Sequence, residues 1–244
     1  MNITSFRFSL LLLTGLIVLW VPSLAQENNI FTQAELLQDA KQLASILEKS
    51  HPDPYSNGGG KVAFQRRRQE LLQNIPAEGM TTERFYRLLL PFVASLHDGH
   101  TAILPLQTGT QPRPGLPITF KIIDESLAVA GAVHKDNVDL RGALLLAVEG
   151  VPIRELVQRQ NNLRGIENVY GTLALLSRGL GTERGLQNLL PEWTDLAKIG
   201  LTLRMATGEN RDFFFQPGEK IENPPTQLNT KVRMPDMSRS DVAW

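Results

Sequence analysis

The sequence predicts an α+β fold: an N-terminal helical unit followed by a partly open β-barrel with helices. Apolar residues recur at 3.6-residue spacing in successive stretches before residue 104. After Leu106 the pattern changes to short runs rich in Val, Ile and Leu, separated by polar turns. Near the end of that region Gly208-Glu209-Asn210 lies between two strand-like runs, which is a hairpin signal.

The first 25 residues read as a processing segment rather than as part of the fold. Arg7 supplies a positive region, and Phe8 to Val21 form an apolar run broken only by Ser9, Thr14 and Gly15. That run of 14 residues is short of the roughly 20 needed to span a bilayer. Pro22 ends it, and Ser23-Leu24-Ala25 offers small residues at −3 and −1 before Gln26. Cleavage after Ala25 is therefore expected, with a periplasmic or extracellular location and no membrane contact afterwards. An uncleaved anchor is the alternative.

The chain has no cysteine. An exported protein without disulfides relies on its core alone, which suits a bacterial periplasm or cell surface. Thiol nucleophiles and thiolate metal sites are excluded as well, and no lipid-anchoring cysteine is present. Basic and acidic residues number 25 each; removing Arg7 leaves 24 against 25, a net charge of −1. Such a balance gives no electrostatic case for nucleic acid or an anionic membrane as partner.

The elements follow in order. Thr32-Gln33-Ala34-Glu35 has the form of a capping box opening a helix that runs to Ser50. Leu36, Leu37, Ala40, Leu43, Ala44 and Leu47 form its buried stripe. His51-Pro52-Asp53-Pro54 ends it, because each proline pushes its predecessor out of helical geometry. A second helix spans Lys61 to Gln73, and its Arg66-Arg67-Arg68 cluster reads as a solvated face. A third opens at Thr81 or Thr82, carries Phe85, Leu88, Leu89, Phe92, Val93 and Leu96 along one stripe, and contains Pro91, expected to kink it. Strands are expected at Leu116–Ile123, Leu127–Val133 and Ala143–Val148. Helices follow from Ile153 to about Asn161 and between Asn168 and Ser177. The hairpin pairs Gly200 to Met205 with Arg211 to Phe215. The expected boundaries are residues 1–25 for the leader, 26–104 for the helical domain, 105–216 for the β-domain and 217–244 for a linker.

The most chemical stretch is Leu96-His97-Asp98-Gly99-His100-Thr101, at the junction between the two units. It holds two of the four histidines, and an imidazole titrates near neutrality, which suits proton transfer. His97 reads as a helix-end residue, Asp98 as the cap of the turn, and Gly99 as a source of permissive backbone angles. His97, Asp98 and His100 would hold zinc only with His51 or His134 added, and no pattern demands that. No metal and no cofactor is expected.

These features together resemble the front half of the tail-specific (C-terminal processing) serine peptidases, including their tricorn-core-like relatives. His51-Pro52-Asp53-Pro54-Tyr55 is similar to the "His-Pro-x-x-Tyr" of bacterial members. Leu96 to Thr101 resembles the "Leu-x-Asp-Gly-His-Thr" junction. Leu116-Pro117-Ile118 opens a segment similar to the family's PDZ-like domain, whose "Ile-Asn-Gly-x-Pro" hallmark corresponds to Val148-Glu149-Gly150-Val151-Pro152, with Glu149 in place of Asn. The resemblance covers roughly residues 32 to 215.

The resemblance implies three things. His100 is the general base facing a serine nucleophile, or otherwise a structural histidine pinning the turn. The PDZ-like domain binds peptides or unfolded protein C-termini. A peptide would add as a strand beside Leu116, Ile118 and Phe120, its carboxylate would sit on the loop at Gly115, and the helix carrying Leu156 and Val157 would form the other wall. Pro117 removes one donor from that strand. The nucleophile segment is missing: Asp139-Leu140-Arg141-Gly142 mimics only the start of the family's "Asp-Leu-Arg-x-Asn-x-Gly-Gly" and reads as the turn before the Ala143 strand. The expected molecule is a fragment of an exported serine peptidase, a hydrolase that is inactive alone. A non-catalytic peptide-binding module is the alternative.

Overall fold

The computed structural model describes residues 30–104, 113–132, 134–136, 138–193 and 197–219. The leader, most of the loop after Leu104 and nearly all of the expected linker lie outside these residues.

The capping box expected at Thr32 is present. Thr32 Oγ1 accepts from the Glu35 N–H, and the Glu35 carboxylate accepts from the Thr32 N–H at 2.9 Å. It opens α1 (Gln33–Ser50), preceded by β1 (Ile30–Phe31). Next come α2 (Gly60–Gln73), β2 (Met80–Thr81) and α3 (Thr82–Ala94), with β1 and β2 paired antiparallel. Thr81 caps α3 by accepting from the Arg84 N–H. Pro91 lies inside α3 on its exposed side, and the helix continues past it to Ala94. The stripes read from the sequence face one another. Leu36, Ala40, Ala44 and Leu47 of α1 meet Phe64 and Leu71 of α2 and Phe85, Phe92 and Val93 of α3 in one apolar cluster. Phe64 is its centre, with ring centroids 5.6 Å from Tyr55 and 5.2 Å from Phe92.

The second cluster lies under a six-stranded sheet. β3 (Phe120–Ile123), β4 (Ser126–Val129), β5 (Leu144–Val148), β7 (Ile199–Arg204) and β8 (Asn210–Phe215) are neighbours in that order, all antiparallel, and β6 (Val151–Pro152) pairs with β5. Between β6 and β7 run α4 (Ile153–Leu163), α5 (Val169–Leu180) and α6 (Glu183–Leu189). Leu156, Leu173, Leu176, Leu180 and Leu186 of these helices are buried against Leu127, Leu145, Leu201 and Phe215 of the sheet. The fold class is therefore α+β. The sheet is open: β3 and β8 are its two edges, and no barrel closes among the described residues.

Both tight hairpins use left-handed backbone without the usual asparagine. Asp124 and Glu125, at φ 45° and 58°, join β3 to β4, and Glu149 and Gly150, at 50° and 75°, join β5 to β6. Asn tolerates this conformation better than Glu does. Glu149 gains an offsetting contact, because its carboxylate accepts from the Gly200 N–H of β7.

The strand expected at Leu116–Ile123 begins only at Phe120, and that expected at Leu127–Val133 ends at Val129. The cause of the late start of β3 lies at the end of α5. The N–H groups of Gly115 and Leu116 donate to the carbonyls of Gly181 and Leu180 at 3.0 and 2.8 Å, so this segment pairs with a helix terminus instead of a strand. Asp139 accepts from the Arg141 N–H, as the turn before Ala143 requires. The two clusters meet where α3 lies against α4. No helix among the described residues is long and apolar enough to cross a membrane.

Candidate functional site at the helical junction

Past the end of α3 the chain turns sharply. His97, not Gly99, takes the left-handed conformation, at φ 49°. Gly99 is closely approached instead: a Cβ there would lie 3.1 Å from Ile166 Cδ1 and 3.2 Å from Glu167 Oε2, the ends of two flexible side chains that would have to give by a few tenths of an ångström.

Asp98 is the centre of the turn. Its Oδ2 accepts from Thr101 Oγ1 at 2.6 Å and from His51 Nε2 at 2.9 Å, and its Oδ1 accepts from the His100 N–H at 2.9 Å. The His100 ring nitrogen Nδ1 lies 3.4 Å from the same Oδ1. These donors hold the Asp98 carboxyl far below the usual carboxylate range, the Thr101 hydroxyl contributing most. The network also assigns the His51 tautomer. The Asp53 N–H donates to His51 Nδ1 at 3.1 Å, so the ring proton sits on Nε2, aimed at Asp98. Asp53 in turn accepts from the N–H groups of Tyr55 and Ser56, which fixes the His-Pro-Asp-Pro bend, and the Ser56 hydroxyl first, with these N–H groups after it, holds its carboxyl below the usual range.

His51 and Asp98 are mostly covered, at 10% and 20% side-chain exposure, whereas the His100 side chain is 96% exposed. All three border a cavity of about 570 Å³ with Ser50, Asn57 and Thr101. The imidazole of His100 is thus presented to solvent on a turn whose polar groups are tied down.

Arg164 and Glu167 are not legible in the sequence as site residues. Glu167 Oε1 accepts from the Gly99 N–H at 3.0 Å, and Arg164 Nη2 donates to the Gly99 carbonyl at 2.6 Å. No local sequence pattern marks them, since they lie 68 and 65 residues from Gly99.

The zinc set weighed from the sequence is not assembled. His134 is buried in the second cluster, its ring between Phe213 and Phe215, and His97 borders a different cavity of about 400 Å³ between α2, α3 and α4. Donor atoms of Asp98, His100 and Glu167 do lie within 4.8 Å of one another. Both carboxylates also accept the hydrogen bonds of the turn, Asp98 from His51, His100 and Thr101 and Glu167 from the Gly99 N–H.

The expected peptide-binding residues separate into two kinds. Gly115, Leu116 and Ile118 are buried, and the first two have their N–H groups engaged by the end of α5. The Gly115 loop therefore has no free donor at these positions for a peptide carboxylate. Phe120 differs. The Ala130 N–H donates to the Thr119 carbonyl, so in the antiparallel register the backbone groups of Phe120 and Ile122 point to the open edge of β3. The helix packed along β3 and β4 is α5, while Leu156 of α4 is fully buried in the core.

No family model and no curated protein sequence matches the chain. Among solved structures it is similar to the chlamydial serine protease CPAF, which has a tail-specific-protease-like fold. A point-mutant form of CPAF gives a TM-score of 0.52 at 16% identity, over 79% of this chain and 34% of that one. Mature CPAF gives 0.52 at 16% identity, over 78% and 36%. The chain spans about a third of the length of these proteins, and the likeness is one of fold.

Proposed function

We propose that the chain is the N-terminal, base-bearing part of an exported serine peptidase of the tail-specific type, and that it positions peptide substrates for hydrolysis. The leader sequence supports export to the periplasm or cell surface. The observation that carries the reading is the exposed imidazole of His100 on a turn whose neighbours are fixed by Asp98, His51 and Thr101. The fold shared with CPAF supports a peptidase-like framework. In this reading residues 26–104 are the helical domain, 105–216 a PDZ-like domain, and 217–244 a linker toward a nucleophile domain.

His100 takes the proton from a serine hydroxyl as that oxygen attacks the scissile carbonyl, then returns it to the leaving amine. The imidazole must come within about 3 Å of the nucleophile, and its exposure leaves room for another segment to dock against it. A peptide adds as a strand to the open edge of β3 at Phe120 and Ile122, beside α5. The same open edge favours the second reading, a binding module without catalysis.

Incubating the purified chain with casein separates these ideas from a self-sufficient enzyme. No hydrolysis is expected, because the nucleophile lies elsewhere. Turnover that His100→Ala abolishes would overturn the claim that the chain is incomplete as a catalyst.

A further inference from the structure

We propose that Arg164 and Glu167 are positioning residues for His100, a role that rests on His100 being the base. One residue's backbone explains the assignment. The Gly99 N–H is held by Glu167 and the Gly99 carbonyl by Arg164, so the backbone immediately before His100 is gripped at both its donor and its acceptor. The His100 side chain is almost wholly exposed, and apart from the 3.4 Å approach of its Nδ1 to Asp98 Oδ1 its position follows the backbone that presents it.

The segment bearing the grip is itself immobilised. A Cβ on Gly165 would lie 1.8 Å from the Ala94 carbonyl oxygen and 3.1 Å from His97 Cα, so the backbone between Arg164 and Ile166 lies flush on the end of α3. Asn168 caps α5 one residue beyond Glu167 by accepting from the Gly171 N–H at 2.8 Å. Arg164 carries a cost that the grip accounts for: its Nε is buried with no hydrogen-bond partner among the described residues. Residues belonging to the sheet-bearing unit thereby set the geometry of a turn belonging to the helical unit. Asp98 and His51 fix the turn from one side, and Arg164 and Glu167 fix it from the other.

Amide hydrogen exchange and histidine resonances of the purified chain test this, with no need for a nucleophile. Glu167→Ala is expected to speed exchange at the Gly99 amide by about tenfold or more and to shift the His100 ring signals. Glu167→Gln keeps an acceptor for the Gly99 N–H and should restore protection to within about twofold of the parent chain. Arg164→Ala should also move the Gly99 and His100 signals. Unchanged signals in both alanine variants, with only a lower thermal midpoint, would reduce the pair to ties between units and overturn the proposal. In an enzyme that includes the nucleophile segment, Glu167→Ala should lower kcat by about tenfold to a hundredfold with KM held within about twofold. A rise in KM at unchanged kcat would count against positioning. Full hydrolysis by His100→Ala would remove the base reading alone, leaving the exchange result to stand or fall separately.

Discussion

Replacing Asp98 by Asn is expected to lower the thermal midpoint by about 6–12 °C, from a loss of about 3 kcal/mol. The substitution sets a donor against a donor. Asp98 Oδ1 takes the His100 N–H, while Oδ2 takes both His51 Nε2 and Thr101 Oγ1. An Asn that keeps its oxygen toward His100 turns an NH₂ group toward His51. The Thr101 hydroxyl can rotate to accept. His51 cannot move its proton to Nδ1, because that atom receives the Asp53 N–H. The pH dependence follows from the depressed folded pKa of Asp98 relative to its ordinary 3.8. Its contribution is fully present above the unfolded value and is lost as the pH falls below 3.8 toward the folded value. Urea titrations at a series of acidic pH values should show this loss in the parent chain and its disappearance in Asp98→Asn. Equal slopes in the two would show that the carboxylate is not the centre of the turn.

Gly165→Ala is expected to cost about 3 kcal/mol or more, at the upper end for overpacking. The new methyl group would meet the Ala94 carbonyl oxygen, a backbone atom at a helix end that no rotamer change can move. Gly142→Ala makes the comparison. Gly142 has φ 77° and nothing within 4 Å of where a methyl group would stand, so only backbone strain of about 1–2 kcal/mol applies. Urea midpoints of the two variants check the difference. Equal losses would mean that segment 164–167 rests loosely on α3.

Much of the fold is readable in the sequence because its signals are local. The Thr32 capping box, the stripe from Leu36 to Leu47 and the prolines after His51 act within a few residues of one another, and α1 lies where they place it. The hairpin of β7 and β8 is legible from the Gly208 turn for the same reason. Other elements are too short to carry a period. β1 and β2 have two residues each, and α6 buries only Leu186 and Leu189. The start of β3 falls later than expected because Gly115 and Leu116 have strand-like neighbours but bond to the end of α5, a long-range choice.

The site divides the same way. Asp98 is legible as the cap of its turn because its partners Thr101 and His100 are near it in the chain. His51 is visible only as part of a motif, and its bond to Asp98 spans 47 residues. Arg164 and Glu167 have no signature, since a charged residue beside a helix start is ordinarily a solvated one. Their role is created by the packing of Gly165 on α3.

The most direct test of the account is hydrolysis of an unstructured peptide by the product of the whole reading frame, comparing the parent with His100→Ala. In His100→Ala kcat/KM is expected to fall by about 10²- to 10⁴-fold, with the thermal midpoint essentially unchanged because the side chain is exposed. Hydrolysis at the parent rate would contradict the assignment of His100 as the base.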